Sequence, residues 1–333
     1  MGKARLLARS ILRENLPDLP HPCRHRIGEN MNAISRACLA AVLLVNASFA
    51  VAQESGTIKK LRDTNTITLA SREVSIPINY LDGNQRPVGY GIDICMHVVE
   101  YIKKELDLPN LRVAYSPVNS TNRMPLLANG TNDIQCASDG NLEERWKQVS
   151  FSNTYFMSGM KYLAKKSSNL SSIEDLKGKT VVSSAGTLNL KLLYDFNEKM
   201  KLGMRILSST DHAEGFLMVE TGRADAFALD DVLLASLIAS SKDPAGYALS
   251  AGEFGPPLPY GPMVRRNDPE FKKLVDAATA ELYKSPKITE LYNKWFMQPV
   301  PPKGINMNLP MSEALKKTLA SPTDAFDLST YPK

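Results

Sequence analysis

Three arginines and one histidine follow short apolar segments of the chain, where a strand of a buried sheet would end. Arg72 comes almost directly after the apolar residues 66–70, and Arg123, Arg145 and His212 follow later segments of the same kind. A single arginine at such a place is explained by a solvated turn. Guanidinium groups also bind carboxylates through paired hydrogen bonds. Three arginines and a histidine in one cleft would therefore form an anion-binding site.

Hydroxyl side chains and one carboxylate occupy equivalent positions: Ser120, Ser138, Ser184, Thr187 and Asp230. Each has a simpler explanation by itself, since Ser184, Thr187 or Asp230 can cap a helix and His212 can be an ordinary surface or core histidine. Together they provide cations and helix N-termini for two acidic groups, and one carboxylate for an ammonium. The set predicts an acidic amino acid as the ligand.

Alternating strands and helices must position these side chains. Predicted strands cover residues 66–70, 111–118, 133–136, 160–164, 180–183, 205–207 and 226–229, and predicted helices cover 92–106, 122–129, 188–199, 213–221, 232–240, 269–284 and 288–296. This alternation is typical of an α/β fold with mostly parallel sheet. Ligands of open α/β sheets bind beyond the carboxyl ends of the strands. The polar residues therefore face the predicted cleft.

The strand pattern restarts after residue 155, which indicates two lobes with the ligand cleft between them. We predict lobe 1 over residues 53–155 and 259–300, and lobe 2 over residues 156–258. Two chain crossings near residues 154–155 and 258–260 join them. Residues 301–333 are predicted to form a C-terminal tail with a short helix near residues 312–319.

The N-terminal segment has the composition of an export signal. Residues 31–52 contain Arg36, an apolar run from residue 37 to residue 45 and the small-residue triplet Ala50-Val51-Ala52, which is typical of a signal peptide. We expect the natural start at Met31, so that residues 1–30 are a non-native extension and the exported protein begins near Gln53. It would be periplasmic and soluble.

The net charge of the 333-residue chain is +5, and most of it comes from residues 1–52. Beyond residue 52, 33 basic and 32 acidic residues remain, without a basic patch, so we expect no nucleic-acid partner. No P-loop, dinucleotide fingerprint or catalytic triad is present. The two histidines beyond residue 52 lack the spacing of metal ligands, so we expect neither cofactor nor metal. Cys95 and Cys136 are the two cysteines of the exported part, and the sequence leaves open whether they pair.

Several segments, in this order, resemble the polar amino-acid-binding proteins of bacterial ABC transporters, and most of all those for glutamate and aspartate. They include SREVSIPINY, VGYGIDI, NSTNRMPLLANGTNDIQC, EDLKGKTVVSSAGT, STDHAEGF, ETGRADAFALDD, YNKWFMQPVPP and NMNLPMSEAL, and the similarity spans roughly residues 57–320. The resemblance implies a two-lobed periplasmic-binding-protein fold and a monomer that closes about two hinges. It also implies an inner-membrane permease with its ATPase subunits as partners.

Roles for the site residues follow from the same resemblance. Arg145 and Thr187 would bind the α-carboxylate of the ligand, and Asp230 with Ser138 would bind its ammonium. The distal carboxylate would be surrounded by Arg72, Ser120, Arg123 and His212, with Ser184 nearby. The protein would be a binding protein and not an enzyme.

Two departures from the family pattern keep alternatives open. Two positions after the serine, where the family usually has a second hydroxyl residue, this chain has Gly140, which removes a carboxylate contact, and the intervening Asp139 adds negative charge near the anion site. A ligand with an amide side chain, glutamine or asparagine, would suffer less from Asp139. A further alternative is a dehydratase on the same fold with His212 as general acid, and another is a sensory module for a receptor.

Overall fold

The structure is a computed structural model that describes residues 56–332. The predicted signal peptide, residues 31–52, and the predicted extension, residues 1–30, lie outside the described residues. None of the helices in residues 56–332 combines the length and the apolar character needed to cross a bilayer.

Strands and helices alternate through most of the described chain. The strands are β1 (Thr66–Ser71), β2 (Val74–Ser75), β3 (Asn79–Leu81), β4 (Pro87–Val88), β5 (Arg112–Pro117), β6 (Ile134–Gln135), β7 (Val149–Phe151), β8 (Phe156–Ser158), β9 (Met160–Lys165), β10 (Thr180–Ser184), β11 (Arg205–Ser209), β12 (Ala226–Asp230), β13 (Tyr247–Leu249), β14 (Leu258–Tyr260) and β15 (Met263–Arg265). The α-helices are α1 (Gly56–Thr64), α2 (Tyr90–Glu105), α3 (Arg123–Ala128), α4 (Leu188–Met200), α5 (His212–Glu220), α6 (Asp231–Ser240), α7 (Pro269–Lys284), α8 (Lys287–Phe296) and α9 (Glu313–Ala320).

The first sheet has the strand order β5-β1-β6-β15-β7. Strand β1 runs parallel to both of its neighbours, with Leu69 opposite Tyr115 of β5 and Ile134 of β6. Strand β15 comes from much later in the chain and pairs antiparallel with β6 and β7. Ile67 and Leu69 of β1 are fully buried, as expected for a strand inside an α/β layer.

The second sheet has the order β11-β10-β12-β9-β13. Strand β10 is parallel to β11 and β12, whereas β9 is antiparallel to β12 and β13. Each sheet therefore has one reversed strand, β15 or β9, and the other four strands run in the same direction, as the prediction of mostly parallel sheet requires. Strands β7, β13 and β15 have three residues each. Such short strands have no readable periodicity, and their direction depends on where the chain re-enters the sheet.

Two chain segments connect the sheets. Residues 152–159, the first crossing, contain β8, and residues 250–262, the second crossing, contain β14. The two strands pair antiparallel, with Pro259 opposite Met157. Phe156 of the first crossing stacks on Phe296 of α8 with ring centroids 5.1 Å apart, which anchors this segment to the helices beside the first sheet.

A disulfide bond joins Cys95 of α2 to Cys136, the residue after β6. Both residues are buried, and their Cα atoms are 5.9 Å apart. The bond answers the question that the sequence left open. The bond attaches helix α2 to the end of β6, two residues before Ser138.

Candidate functional site

The predicted site residues lie at strand ends of both sheets, and the structure brings them together at one cleft. Eight of the nine are buried, and Thr187 is partly buried. Seven of them line one cavity: Ser120, Arg123, Ser138, Arg145, Thr187, His212 and Asp230. The other two, Arg72 and Ser184, contact this group through Ser120 and His212.

Arg72 is 3% exposed, so the solvated-turn explanation does not apply. The residue follows β1, and its backbone N–H donates to Oδ1 of Asn79 at 2.8 Å. Its guanidinium Nη2 lies 2.9 Å from Oγ of Ser120 and 3.3 Å from Nε2 of His212. Arg72 thus links the first sheet to the first turn of α5 beside the second sheet.

His212 is neutral in this setting. Burial, together with the positive charges of Arg72 and Arg123, holds the pKa of His212 well below its usual value. Because a guanidinium N–H only donates, Nε2 of the imidazole accepts from Arg72, and the ring proton is assigned to Nδ1. Nδ1 then donates to Oγ of Ser184 at 2.8 Å. Arg72 therefore sets the tautomer of His212, and the Ser184 hydroxyl accepts the remaining ring proton.

Arg123 has a buried carboxylate partner. Its Nη1 lies 2.5 Å from Oδ1 of Asp139, which is fully buried. The other carboxylate oxygen of Asp139 accepts from Nε2 of Gln135 at 2.6 Å. The negative charge that the sequence placed near the anion site is therefore opposed directly by Arg123.

Arg145 is held by the loop that contains Gly140. Its Nη1 donates to the backbone oxygen of Gly140 at 2.8 Å. A Cβ atom at Gly140 would lie 3.4 Å from Leu188 and 3.6 Å from Leu258, which is ordinary van der Waals contact, so a Cβ atom fits at this position. Thr187 caps α4, since its Oγ1 accepts from the N–H of Leu190 at 3.2 Å. The capping explanation is thus correct for Thr187, and the same residue also lines the cavity.

Asp230 is the last residue of β12 and provides the one carboxylate that lines the cavity. Burial raises its pKa to about 6, and the neighbouring Tyr260 and Asn189 side chains partly offset this rise. Asn189 donates to Oδ2 at 3.2 Å. Among residues 56–332, no lysine or arginine nitrogen lies within 4 Å of this carboxylate. Asp230 is therefore suited to an ammonium group.

Positive charge exceeds negative charge in the cleft. Within the described part of the chain, neither Arg72 nor Arg145 has a carboxylate within 4 Å, and Nη1 of Arg72 is buried without a hydrogen-bond partner. Burial and the nearby Arg123 lower the pKa of Arg72 to about 9 and that of Arg145 to about 10, so both remain cationic at neutral pH. Buried charges are normally compensated, and a ligand with carboxylates would compensate these. The described residues contain no cluster of side chains that could hold a metal ion.

Comparison with known proteins places this architecture in a family. Residues 67–298 match the bacterial extracellular solute-binding proteins, family 3. The chain belongs to this family of solute-binding proteins. It is 48% identical over 292 residues to the L-glutamate/L-aspartate-binding protein of Pseudomonas aeruginosa, covering 87% of this chain and 96% of the relative. It is 41% identical over 281 residues to the glutamate/aspartate import solute-binding protein of Salmonella typhimurium, covering 84% and 93%.

Solved structures agree with the family-3 assignment. An ancestral arginine-binding protein bound to arginine aligns with a TM-score of 0.63 at 27% identity, over 70% of this chain and 98% of that protein. The predicted two-lobed α/β periplasmic-binding-protein fold is thereby confirmed. The resemblance to polar amino-acid-binding proteins is confirmed by the same family match.

Some residues of this family-3 site were missed in the sequence. Gln135 acts indirectly, by holding Asp139, whereas Asn189 donates to Asp230 and also lines the cavity itself. Leu188 and Leu258 form apolar walls of the cavity. The one sequence signal for Leu188 and Asn189 was that they come directly after the cap residue Thr187. A residue that lines a cavity and a residue packed in the core have the same local sequence pattern.

Proposed function

We propose that this protein captures an acidic amino acid, glutamate or aspartate, and delivers it to an ABC importer. The observation that carries the proposal is the charge inventory of the buried cleft. Three guanidinium groups face two carboxylates, and His212 is neutral. An acidic amino acid has one net negative charge, which would bring the sum of these charges to zero. The names of the relatives support the same ligand.

The proposed binding mode assigns each end of the ligand to a separate group. Arg145 and Thr187 bind the α-carboxylate, and Asp230 with Ser138 binds the ammonium. Arg72, Ser120 and Arg123 surround the distal carboxylate, while Ser184 and His212 orient Arg72 through the hydrogen bonds described above. Charge-assisted hydrogen bonds of this kind contribute about 1.5–3 kcal/mol each.

The remaining parts of the proposal concern location and partners. We propose that the protein is exported by the signal peptide of residues 31–52 and acts in the periplasm as a monomer. An inner-membrane permease with its ATPase subunits would receive the ligand, and no nucleic acid would be bound. The lobes, residues 53–155 with 259–300 and residues 156–258, would close about the two crossings. The pairing of β8 with β14 supports hinges at these segments.

The Arg123–Asp139 ion pair favours a second candidate ligand. Because the charge of Arg123 is already compensated, its guanidinium could donate to a side-chain amide without needing a second anion. Glutamine or asparagine would then bind in the same place. This candidate leaves Arg72 without a counter-ion, so the acidic amino acids are preferred.

Calorimetric titration of refolded, ligand-stripped protein with glutamate, aspartate, glutamine and asparagine tests the proposal. Binding at about −8 kcal/mol or tighter, confined to the two acids, is the expected result. Tighter binding of the amides would identify Asp139 and Gly140 as the residues that changed the specificity. No heat with any of the four would refute an amino-acid-binding function, and dehydratase activity would then be assayed.

A further inference from the structure

The loop that presents Arg145 is attached to the C-terminal tail through one buried side chain, Asn141. Asn141 is fully buried, and its Nδ2 donates to the backbone oxygens of Asp324 at 2.8 Å and Ala325 at 3.2 Å. Its Oδ1 accepts from Nε1 of Trp146 at 2.7 Å. All hydrogen-bonding atoms of the side chain are therefore used, and two of these bonds reach across more than 180 residues of sequence.

Asn141 is the residue after Gly140, whose backbone oxygen accepts from the Arg145 guanidinium. Its own backbone N–H donates to the oxygen of Pro259 in the second crossing at 2.7 Å. Displacement of Asn141 would therefore displace the acceptor that holds Arg145. The side chain of Asn141 does not line the cavity, so any effect on a ligand must pass through the loop.

The tail segment, residues 323–331, is itself fixed to the first crossing. The oxygen of Thr323 accepts from the N–H of Thr154 at 2.8 Å, and the hydroxyls of Thr154 and Tyr331 lie 2.8 Å apart. The Tyr331 hydroxyl also lies 2.5 Å from the oxygen of Ala325, which is one of the two acceptors for Asn141.

A salt bridge adds a further attachment to α7. Lys272 Nζ lies 2.7 Å from the Asp324 carboxylate, and the hydrogen bonds to Asp276 and Asp324 raise the pKa of Lys272 despite its partial burial. The Phe326 ring packs edge-on against Trp146, with centroids 6.3 Å apart. The tail, the loop of residues 138–145 and both crossings thus form one hydrogen-bonded unit.

We propose that the tail segment and Asn141 position Arg145 for the α-carboxylate of the ligand, and this inference rests on the proposed function. The unbound loop would otherwise sample other conformations, and a ligand would have to order it on binding. The tail removes that entropic cost in advance. It is a positioning element and makes no contact with the cavity.

The first test needs no ligand. Amide hydrogen exchange is measured in the ligand-free protein at Asn141, Arg145 and Gln148, whose N–H groups donate to Pro259, Leu142 and Arg145. In Asn141→Ala and in Tyr331→Phe these amides are expected to exchange at least about tenfold faster, because local opening becomes easier. Unchanged exchange in both variants would overturn the inference.

The second test compares affinities for glutamate. Asn141→Ala is expected to raise Kd at least about tenfold, the equivalent of 1.4 kcal/mol. Asn197→Ala is the matched control, because Asn197 also bonds to backbone, that of Met204, at 2.9 Å and 3.3 Å. It lies near the C-terminal end of α4, whereas the site residue Thr187 caps the other end of this helix. The Kd of this control variant is expected to stay within twofold of the wild-type value.

A double-variant cycle distinguishes positioning from general destabilisation. Asn141→Ala and Tyr331→Phe break the same link, so their effects on the Kd for glutamate are expected to be less than additive. Additive effects, or an equal loss in the Asn197 control, would overturn the inference. If the wild-type protein binds no amino acid, the proposed function fails, whereas the exchange measurement still decides whether the tail holds the loop.

Discussion

At the scale of single residues, the buried charges of the cleft differ in what compensates them. Arg123 has Asp139 at 2.5 Å, whereas Arg72 and Asp230 have no opposite charge within 4 Å among residues 56–332. Substitution of a paired charge leaves its partner uncompensated inside the protein. Substitution of an unpaired charge removes a group that is available to a ligand. The first kind of variant should therefore lose stability, and the second kind should lose affinity for the ligand.

Asp230 should make ligand affinity dependent on pH. Its pKa is raised to about 6 in the ligand-free protein, so the carboxylate that pairs with the ammonium is lost as pH falls through this value. We expect a constant Kd for glutamate above about pH 7 and an increase approaching tenfold per unit between about pH 6 and pH 5. Asp230→Ala should abolish binding. Calorimetric titration of the wild type between pH 5 and pH 8, and of the variant at pH 7.5, checks these two predictions. A wild-type Kd that does not change with pH would exclude Asp230 from ammonium binding.

Asp139 should be essential for stability and should also affect ligand selectivity. Asp139→Asn leaves Arg123 buried without a counter-ion, and we expect the free energy of unfolding to fall by about 3–5 kcal/mol. The distal carboxylate of glutamate would then compensate Arg123, so glutamate should stabilise the variant more than it stabilises the wild type, and glutamine should not. Urea unfolding with each ligand measures this.

Asp133→Asn is the control for this comparison. Asp133 is also buried, but its partner is Lys60 at 2.8 Å, outside the cavity. This variant should lose stability, but glutamate should raise its free energy of unfolding by the same amount as in the wild type. If glutamate raises the free energy of unfolding equally in the wild type, Asp139→Asn and Asp133→Asn, Arg123 does not bind the distal carboxylate.

At the scale of secondary-structure elements, the disulfide bond is the covalent link between α2 and the end of β6. Cys95 and Cys136 are separated by 41 residues. The chain-entropy relation for a loop of this length predicts about 4 kcal/mol of stabilisation through restriction of the unfolded chain. We expect Cys95→Ser/Cys136→Ser to lower the free energy of unfolding by this amount in urea titrations. A difference below about 1 kcal/mol would show that the entropy model does not apply here.

At the scale of the whole molecule, the two sides of the cleft touch at a glycine. Gly186 lies between β10 and α4 with φ of +69°, and a Cβ atom there would lie 2.7 Å from the backbone of Ser120 in the first-sheet half. Contact this close leaves no room for a side chain. The close contact between the two sides of the cleft therefore depends on glycine at this position.

Gly186→Ala should hinder closure. We expect Kd for glutamate to rise at least about tenfold, and small-angle scattering should show less compaction with ligand than in the wild type. Gly203→Ala is the control, because Gly203 also has positive φ, +59°, but nothing lies within 4 Å of its Cβ position. It should lose stability by about 1 kcal/mol and bind normally. Equal affinity losses in both variants would indicate strain and not obstructed closure.

Local sequence rules were enough to predict several elements and the types of residue at the site. Helix α7 has the predicted bounds, Pro269–Lys284, because a proline start and a regular apolar face are local signals. The nine site residues were identified because each comes after a predicted strand, and the carboxyl ends of strands converge in α/β folds. Their roles toward the ligand stay a prediction.

Features that join distant parts of the chain could not be predicted in this way, because they arise from the tertiary fold. The antiparallel pairing of β15, the pairing of Arg123 with Asp139 and the bonds from Asn141 to Asp324 all depend on which segments meet after folding. Local sequence has no information about these partners, because propensity and periodicity act over a few residues. Compensation of buried charge and polar groups acts instead between residues that packing brings together.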